Sequence, residues 1–347
     1  MGYDKYVVTN ITSREFLTPI VETLLLDAFA LPSSGLYNGR SGVALALGTV
    51  ASAWNDNYIY EQYVKLLKTS LVALDRDLSF SNGVTGNGWA LMLEIADDLV
   101  DANYLELMGR QHEKIVQHCS NISIGSFQEY LLGLGHCYYL SIASLVVDDG
   151  LLQLCDRLYK QLGSYLISLL EQWSLYSPLS RPEGINAGRL RLALDKYVRL
   201  CFYRNKRVEY NIERILERFY SNGSLAFSPS LVCYLHDCID GLEFKSMLSK
   251  RIGIISEELN ASPWYSLSEC IDILVCLRQS SISMRLPLIS RLETYIGGGS
   301  SREGLEARLH TLTPIAAIRS GYHQGLARYL LYALGIENPR ILTLYFA

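Results

Sequence analysis

GLYNGRSGVALALGTVASAW, residues 35–54, joins a glycine-rich turn to a helix that is apolar nearly all round. The same arrangement returns in FSNGVTGNGWALMLEIADDL (80–99) and in GYHQGLARYLLYALG (321–335). The three copies follow one template, roughly G-L-x-x-G-x-x-G and then a helix. A sharp turn that enters a helix at a crowded centre favours residues without a Cβ, for backbone freedom and for close approach. A helix contacted on most sides is apolar all round, whereas one facing solvent carries a single apolar stripe.

With the central glycine as anchor, weaker copies lie between the strong ones. Gly39 and Gly83 are 44 residues apart, and a further 44 reaches Phe127. Gly184 follows after 57, Phe227 and Cys270 after 43 each, and Gly325 after 55. Seven anchors at this spacing predict seven helical hairpins, each an outer helix, a loop, a glycine turn and an inner helix. VALALGTVASAW and YLLGLGHCYYLSIASLVV fit the inner type. YEQYVKLLKTSLVAL, with apolar residues at i, i+3, i+4 and i+7, fits the outer type. Alternating β-branched strands are hard to find and the chain has only nine prolines, so the fold class is all-α.

Composition bounds the function. The 347 residues are 49% apolar and 19% charged, enough for a sizeable core, and we expect residues 1–347 to form a single domain. A net charge of −4 gives no global reason to expect nucleic acid or an anionic membrane as partner. The eight cysteines show no CxxC pair and read as reduced core residues of a cytoplasmic protein. No secretory signal is visible at the start. The uncharged run from Tyr130 to Val147 just reaches membrane-spanning length but is interrupted by Gly133, Gly135 and His136, and no positive flank anchors it; it reads as a buried helix.

Seven hairpins with glycine turns at the inner-helix starts resemble the lanthionine synthetase cyclases, the LanC-like proteins, over essentially the whole chain from Gly35 onward. The resemblance implies an α/α toroid whose inner-helix N-termini converge on a central cavity. In that family two cysteines and a histidine hold a zinc ion there, in W-C-Y-G-x-P-G of the fifth repeat and C-H-G-x-A-G of the sixth. The metal holds a thiol of a precursor peptide as thiolate for addition to a dehydrated serine or threonine, and three protein ligands leave the fourth position open. In this chain the fifth-repeat pattern falls on Ser224-Leu225-Ala226-Phe227-Ser228-Pro229-Ser230, which keeps the proline and puts Leu225 at the cysteine. The sixth falls on Ser268-Glu269-Cys270, so Ser268 and Glu269 stand at the Cys-His pair. Two further family positions, an aspartate and a histidine, fall on Ser123 and Glu183.

The resemblance therefore implies a toroid without its zinc ligands. We expect no metal or other cofactor, and a role in modified-peptide biosynthesis in which the chain binds a precursor peptide or a partner enzyme, with cyclase activity lost or altered. Two alternatives stay open. An active thioether-forming cyclase would need zinc held elsewhere, for which Cys233, His236 and Cys238 are close in sequence, although inside a predicted helix. A carbohydrate-active enzyme on a helical-hairpin barrel would use Glu183 and Glu269 as acid and base. Glu183 and Glu269 precede an anchor by one residue and His323 by two. There the glutamates cap a helix or do acid–base work, and His323 is an exposed turn residue or a general base. Eight basic residues between Arg181 and Arg207, among them Arg189, Arg191 and Arg199, form either a solvated helix face or a dock for an acidic peptide.

Overall fold

The computed structural model describes residues 13–72, 77–175, 186–261, 267–280, 285–296 and 325–335, and among these every regular element is a helix. In chain order these are α1 (Arg14–Ala28), α2 (Arg40–Trp54), α3 (Asn57–Val72), α4 (Val84–Ala96), α5 (Tyr104–Asn121), α6 (Phe127–Val146) and α7 (Leu151–Leu175). They continue as α8 (Ala187–Tyr203), α9 (Tyr210–Ser221), α10 (Pro229–Cys238), α11 (Leu242–Ala261), α12 (Leu267–Gln279), α13 (Arg285–Ile296) and α14 (Leu326–Gly335). The even-numbered helices start within three residues of the seven sequence anchors.

Burial separates two kinds of helix. α2 is buried without a break from Ser41 to Ala51, α4 from Val84 to Glu94, and α14 along its whole length. α3 instead buries Ile59, Tyr63, Leu66 and Ser70, and α9 buries Ile212, Glu213, Leu216 and Phe219, the single stripe of a helix with one wet face. The even-numbered helices pack on one another in series: α2 on α4, α4 on α6, α6 on α8, α8 on α10, α10 on α12, α12 on α14, and α14 on α2. The odd-numbered helices lie against them, α3 on α2, α5 on α4 and α6, α7 on α6 and α8, α11 on α10, and α13 on α12. The uncharged run of the sequence forms α6, and no helix among the described residues is long and apolar enough to cross a membrane.

The first two glycine turns have the same hydrogen bonds, 44 residues apart. In the first, Arg40 N–H donates to the Ser33 carbonyl at 3.0 Å and the Ser41 hydroxyl to the Ser34 carbonyl at 2.7 Å. In the second, Val84 N–H donates to the Asp77 carbonyl at 2.8 Å and the Thr85 hydroxyl to the Leu78 carbonyl at 2.7 Å. Gly39 and Gly83 cap α2 and α4 in extended conformations, where any residue has an acceptable φ. Their role is clearance: a Cβ on Gly39 would strike the Gly35 and Ser33 carbonyls, and one on Gly83 would strike the Asp77 carbonyl. The two turns also bond to each other, Tyr37 N–H to the Ser81 carbonyl at 2.8 Å. Polar side chains cap three of the other even-numbered helices: Ser126 bonds Glu129 N–H ahead of α6, Asn186 bonds Arg189 N–H ahead of α8, and Ser228 bonds Leu231 N–H ahead of α10.

Behind these turns an aromatic column joins the series. Phe80 stacks edge-on to Trp89 of α4 at 5.4 Å and lies 5.5 Å from Tyr138 of α6, whose ring meets Tyr203 of α8 at 5.1 Å. Gly135 and Gly86 make room for it, since a Cβ on Gly135 would meet the Phe80 side chain and one on Gly86 the Phe80 carbonyl. Gly86→Ala should lower stability by several kcal/mol, because the displaced atom is backbone; urea unfolding showing a loss below about 1 kcal/mol would contradict that packing.

Glu94, in the last turn of α4, is 1% exposed. Burial raises its carboxyl to about 8, against a smaller opposing effect of the Tyr63 hydroxyl. A group raised in the folded state favours folding fully only below its unfolded value, so stability should fall as pH rises from about 4.5 to 8. The loss from this group at pH 7 is on the order of 3 kcal/mol. Glu94→Gln should flatten that slope between pH 5 and 8; an equally steep pH dependence of the variant's urea midpoint would count against the assignment.

Candidate functional site

Four of the even-numbered helices share a connected set of charges inside an otherwise apolar packing. α8 supplies Asp195 and Arg199, one turn apart, α10 supplies Ser230 and Tyr234, α12 supplies Glu269 and Asp272, and α14 supplies Arg328. Arg199 is the hub. Its Nε donates to Asp195 Oδ2 at 2.8 Å, and its terminal nitrogen donates to Asp272 Oδ2 at 2.8 Å and to Ser230 Oγ at 3.3 Å. The guanidinium also lies 4.9 Å above the Tyr234 ring. Asp272 uses its other oxygen to accept from Arg328. One carboxylate thus ties α12 to both α8 and α14, and α8 reaches it past α10.

Burial opposes the Arg199 charge, and the Asp195 and Asp272 carboxylates outweigh it, so the guanidinium stays protonated well above its ordinary range. Glu269 is different. Burial raises its carboxyl and the neighbouring Asp272 adds to the rise, while the Ser230 N–H, donating to its Oε1 at 2.7 Å, pulls the other way. That bond crosses from α10 to α12, so Glu269 caps the start of α10 from the next helix of the series. Nearby, Lys196 of α8 stands 5.4 Å over Tyr37 of the first turn.

The residues expected from sequence fall in several places. Glu269 is in the charged network, in the first turn of α12. Ser123 is exposed in the loop ahead of α6. Glu183 and His323 lie outside the described residues. Arg189 and Arg191 are exposed in the first turns of α8, with Arg189 5.7 Å over the Phe127 ring. Arg199, placed with them by the sequence, turns inward to the carboxylates, and the end of the basic stretch is also engaged: Arg204 and Lys206 both bond Asp156, at 2.7 and 2.6 Å.

The zinc of the LanC-like proteins does not fit the residues at the aligned positions. Leu225 is buried at 4% exposure and has no donor atom. Ser268 opens α12. Glu269 is the one aligned ligand atom source, it is held by Ser230, and the positive charge of Arg199 acts on it. A dication placed there would face guanidinium where the family has thiolate. The other set does not converge either: His236 gives Nε2 to Ser249 of α11 at 2.9 Å, and burial pushes the Cys233 and Cys238 thiols up. Among the described residues no three His, Cys, Asp or Glu side chains are grouped to hold a metal.

Sequence reasoning missed Asp272, Arg328 and Ser230. The signal was present, since Asp272 interrupts CIDILVCL and Arg328 interrupts LARYLLYAL, and a lone charge in a fully apolar helix needs a buried partner. Compared with known proteins, the chain matches no family model, no curated protein and no solved structure.

Asp272→Asn would leave two buried guanidinium groups short of an anion. We expect a loss of about 3–5 kcal/mol in urea unfolding, against less than about 0.5 kcal/mol for the exposed Arg191→Ala. A loss for Asp272→Asn as small as that of the surface variant would show that the network contributes nothing to holding the helices together.

Proposed function

We propose that the chain is an α/α toroid of seven helical hairpins, of the LanC-like kind, which binds a precursor peptide or a peptide-modifying partner enzyme in the cytoplasm and does not carry out zinc-dependent thioether formation. The observation that carries this is the chemistry around Glu269, one of the positions aligned with the family's metal ligands, where Asp272 bonds both Arg199 and Arg328. Two further features support the toroid, the serial contacts that lead from α2 through the even-numbered helices and back to α2, and the matched hydrogen bonds of the first two turns.

Arg199 and Arg328 are engaged by carboxylates and cannot offer free charge to a substrate. Arg189 and Arg191 are instead exposed where α8 begins. The two guanidinium groups stand on different sides of the first turns of α8, where an acidic segment crossing the helix start would meet both, and Phe127 under Arg189 adds an aromatic surface on that side. Without a metal, a peptide thiol keeps a value near 8.5 and is mostly protonated at neutral pH, so thioether closure has no activated nucleophile in this reading.

Two measurements test it. A fluorescent acidic peptide should bind with an affinity that falls between 50 and 300 mM salt, since exposed charges are screened over about 8 Å at physiological ionic strength. Reversing Arg189 and Arg191 to glutamate should abolish that binding; salt-independent binding, or binding unchanged in the double variant, would remove the docking role. Elemental analysis of protein purified without chelator or metal-affinity tag should give zinc far below stoichiometry. About one zinc per chain, lost on mutation of Cys233, His236 or Cys238, would favour an active cyclase with a relocated site.

A further inference from the structure

α5 and α6 bring two histidine rings together where they pack on each other. His136 lies near the middle of α6 and is fully buried, and His118 is half-buried in the last turn of α5. Their ring centres are 5.2 Å apart, with the planes at 46°. A neutral imidazole carries one donor and one acceptor, and either is costly to bury unpaired. Here Nδ1 and Nε2 of His136 and Nε2 of His118 are buried without a hydrogen-bond partner, so the two rings do not bond each other either. The other two histidines among the described residues are engaged, His112 with the Tyr139 hydroxyl at 2.7 Å and His236 with the Ser249 hydroxyl at 2.9 Å.

We propose that His118 and His136 form a site for a divalent ion of the zinc class, which clasps the end of α5 to the middle of α6. An ion ~2.0–2.1 Å from one nitrogen of each ring, with a tetrahedral angle between the two bonds, sets the ring centres about 5 Å apart. That is the separation found. Imidazole nitrogen suits zinc, cobalt, nickel or copper, whereas magnesium and calcium take oxygen. Burial pushes His136 down to about 3, with the nearby His118 adding to the fall, so the ring is neutral and has a lone pair to give. The setting is the reverse of that at Glu269, on which the Arg199 guanidinium acts; no guanidinium is among the groups that act on His136.

Coordination uses two of the three unpaired nitrogens, and each ring keeps its proton on the nitrogen that does not coordinate. Two nitrogen–metal bonds form, two waters leave the hydrated ion, and no electron moves. The remaining positions of the ion take water from the side on which His118 meets solvent. A site with two protein ligands holds its ion more weakly than the three-ligand site of a zinc enzyme. It fills when metal is added and gives the ion up during purification, in keeping with the low zinc content expected of the purified chain. The inference does not depend on the peptide-binding reading, because these histidines lie on α5 and α6, apart from both Glu269 and Arg189.

The test uses the full-length chain, stripped with chelator, exchanged into chelator-free buffer and titrated with cobalt(II) chloride. One ion per chain should give the visible absorption of four-coordinate cobalt, and zinc chloride should displace it. His118→Ala, at a half-buried position, should remove that absorption. His118→Cys should keep the ion and add a thiolate-to-cobalt charge-transfer band, which a purely packing role for the ring would not produce. His236→Ala should bind cobalt as the parent chain does. The proposal is overturned if the parent gives only the pale spectrum of six-coordinate cobalt, or if His118→Ala binds unchanged with its circular dichroism intact. Loss of binding in His236→Ala instead would also overturn it, placing the ion at the relocated cyclase site. Should His118→Ala unfold, His118→Cys decides alone, and the absence of its charge-transfer band ends the proposal.

Discussion

Backbone clearance at the first two turns sets the geometry on which everything else rests. Gly35 faces the Asn82 backbone, Gly39 and Gly83 each face carbonyls of their own turn, and Gly86 faces the Phe80 carbonyl. None of these atoms is the movable end of a side chain, so no rotamer change can admit a methyl group. Because the turns sit this close, Tyr37 N–H reaches the Ser81 carbonyl, and Phe80 is carried in against Trp89 and Tyr138. The helices that follow, α2 and α4, are buried along unbroken stretches and pack on each other.

A second problem arises because a helix that is buried all round leaves charge nowhere to go but inward. Asp272 and Arg328 are 6% and 8% exposed on helices with almost no polar neighbours. Each would be costly alone. Together with Arg199 they satisfy one another, and they do so between helices that differ in sequence. A buried pair of this kind adds little to stability compared with an apolar pair of equal volume, but it penalises any arrangement that separates its members. Its effect is therefore on which helices meet, α12 with α14 and α8 beyond α10, more than on how tightly they pack.

The sequence made the helix starts legible because glycine clearance and the 44-residue spacing leave a pattern that needs no knowledge of contacts; Gly39, Gly83 and Gly325 all precede helices. The weaker anchors were legible only by their spacing from the strong ones; the caps Ser126, Asn186 and Ser228 that start three of those helices were not read. The site was less legible. Glu269 stood out by its place beside an anchor, but its partner is the Ser230 backbone, and backbone donors leave no mark on residue identity. Arg199 read as part of a basic surface stretch, because charge counting along the chain cannot tell the inward face of α8 from the outward one. Arg189 and Arg199 differ by ten positions, which turns a helix through about three revolutions less 80°, enough to separate an exposed side chain from a buried one.

The same network bears on what would be needed to place a metal at these helix starts. Arg199 and Arg328 are already neutralised by Asp195 and Asp272. A dication would have to displace Arg199 from Asp272, leaving a buried cation without its partner, and that cost is several kcal/mol before any coordination bond forms. Removing Arg199 alone exposes Asp195 and Asp272 to the converse penalty, since each would be a buried carboxylate short of a donor. The positive charge at the centre and the carboxylates around it are therefore one unit. A metal could be held among these groups only if several of them changed together, because each charge is balanced by the others.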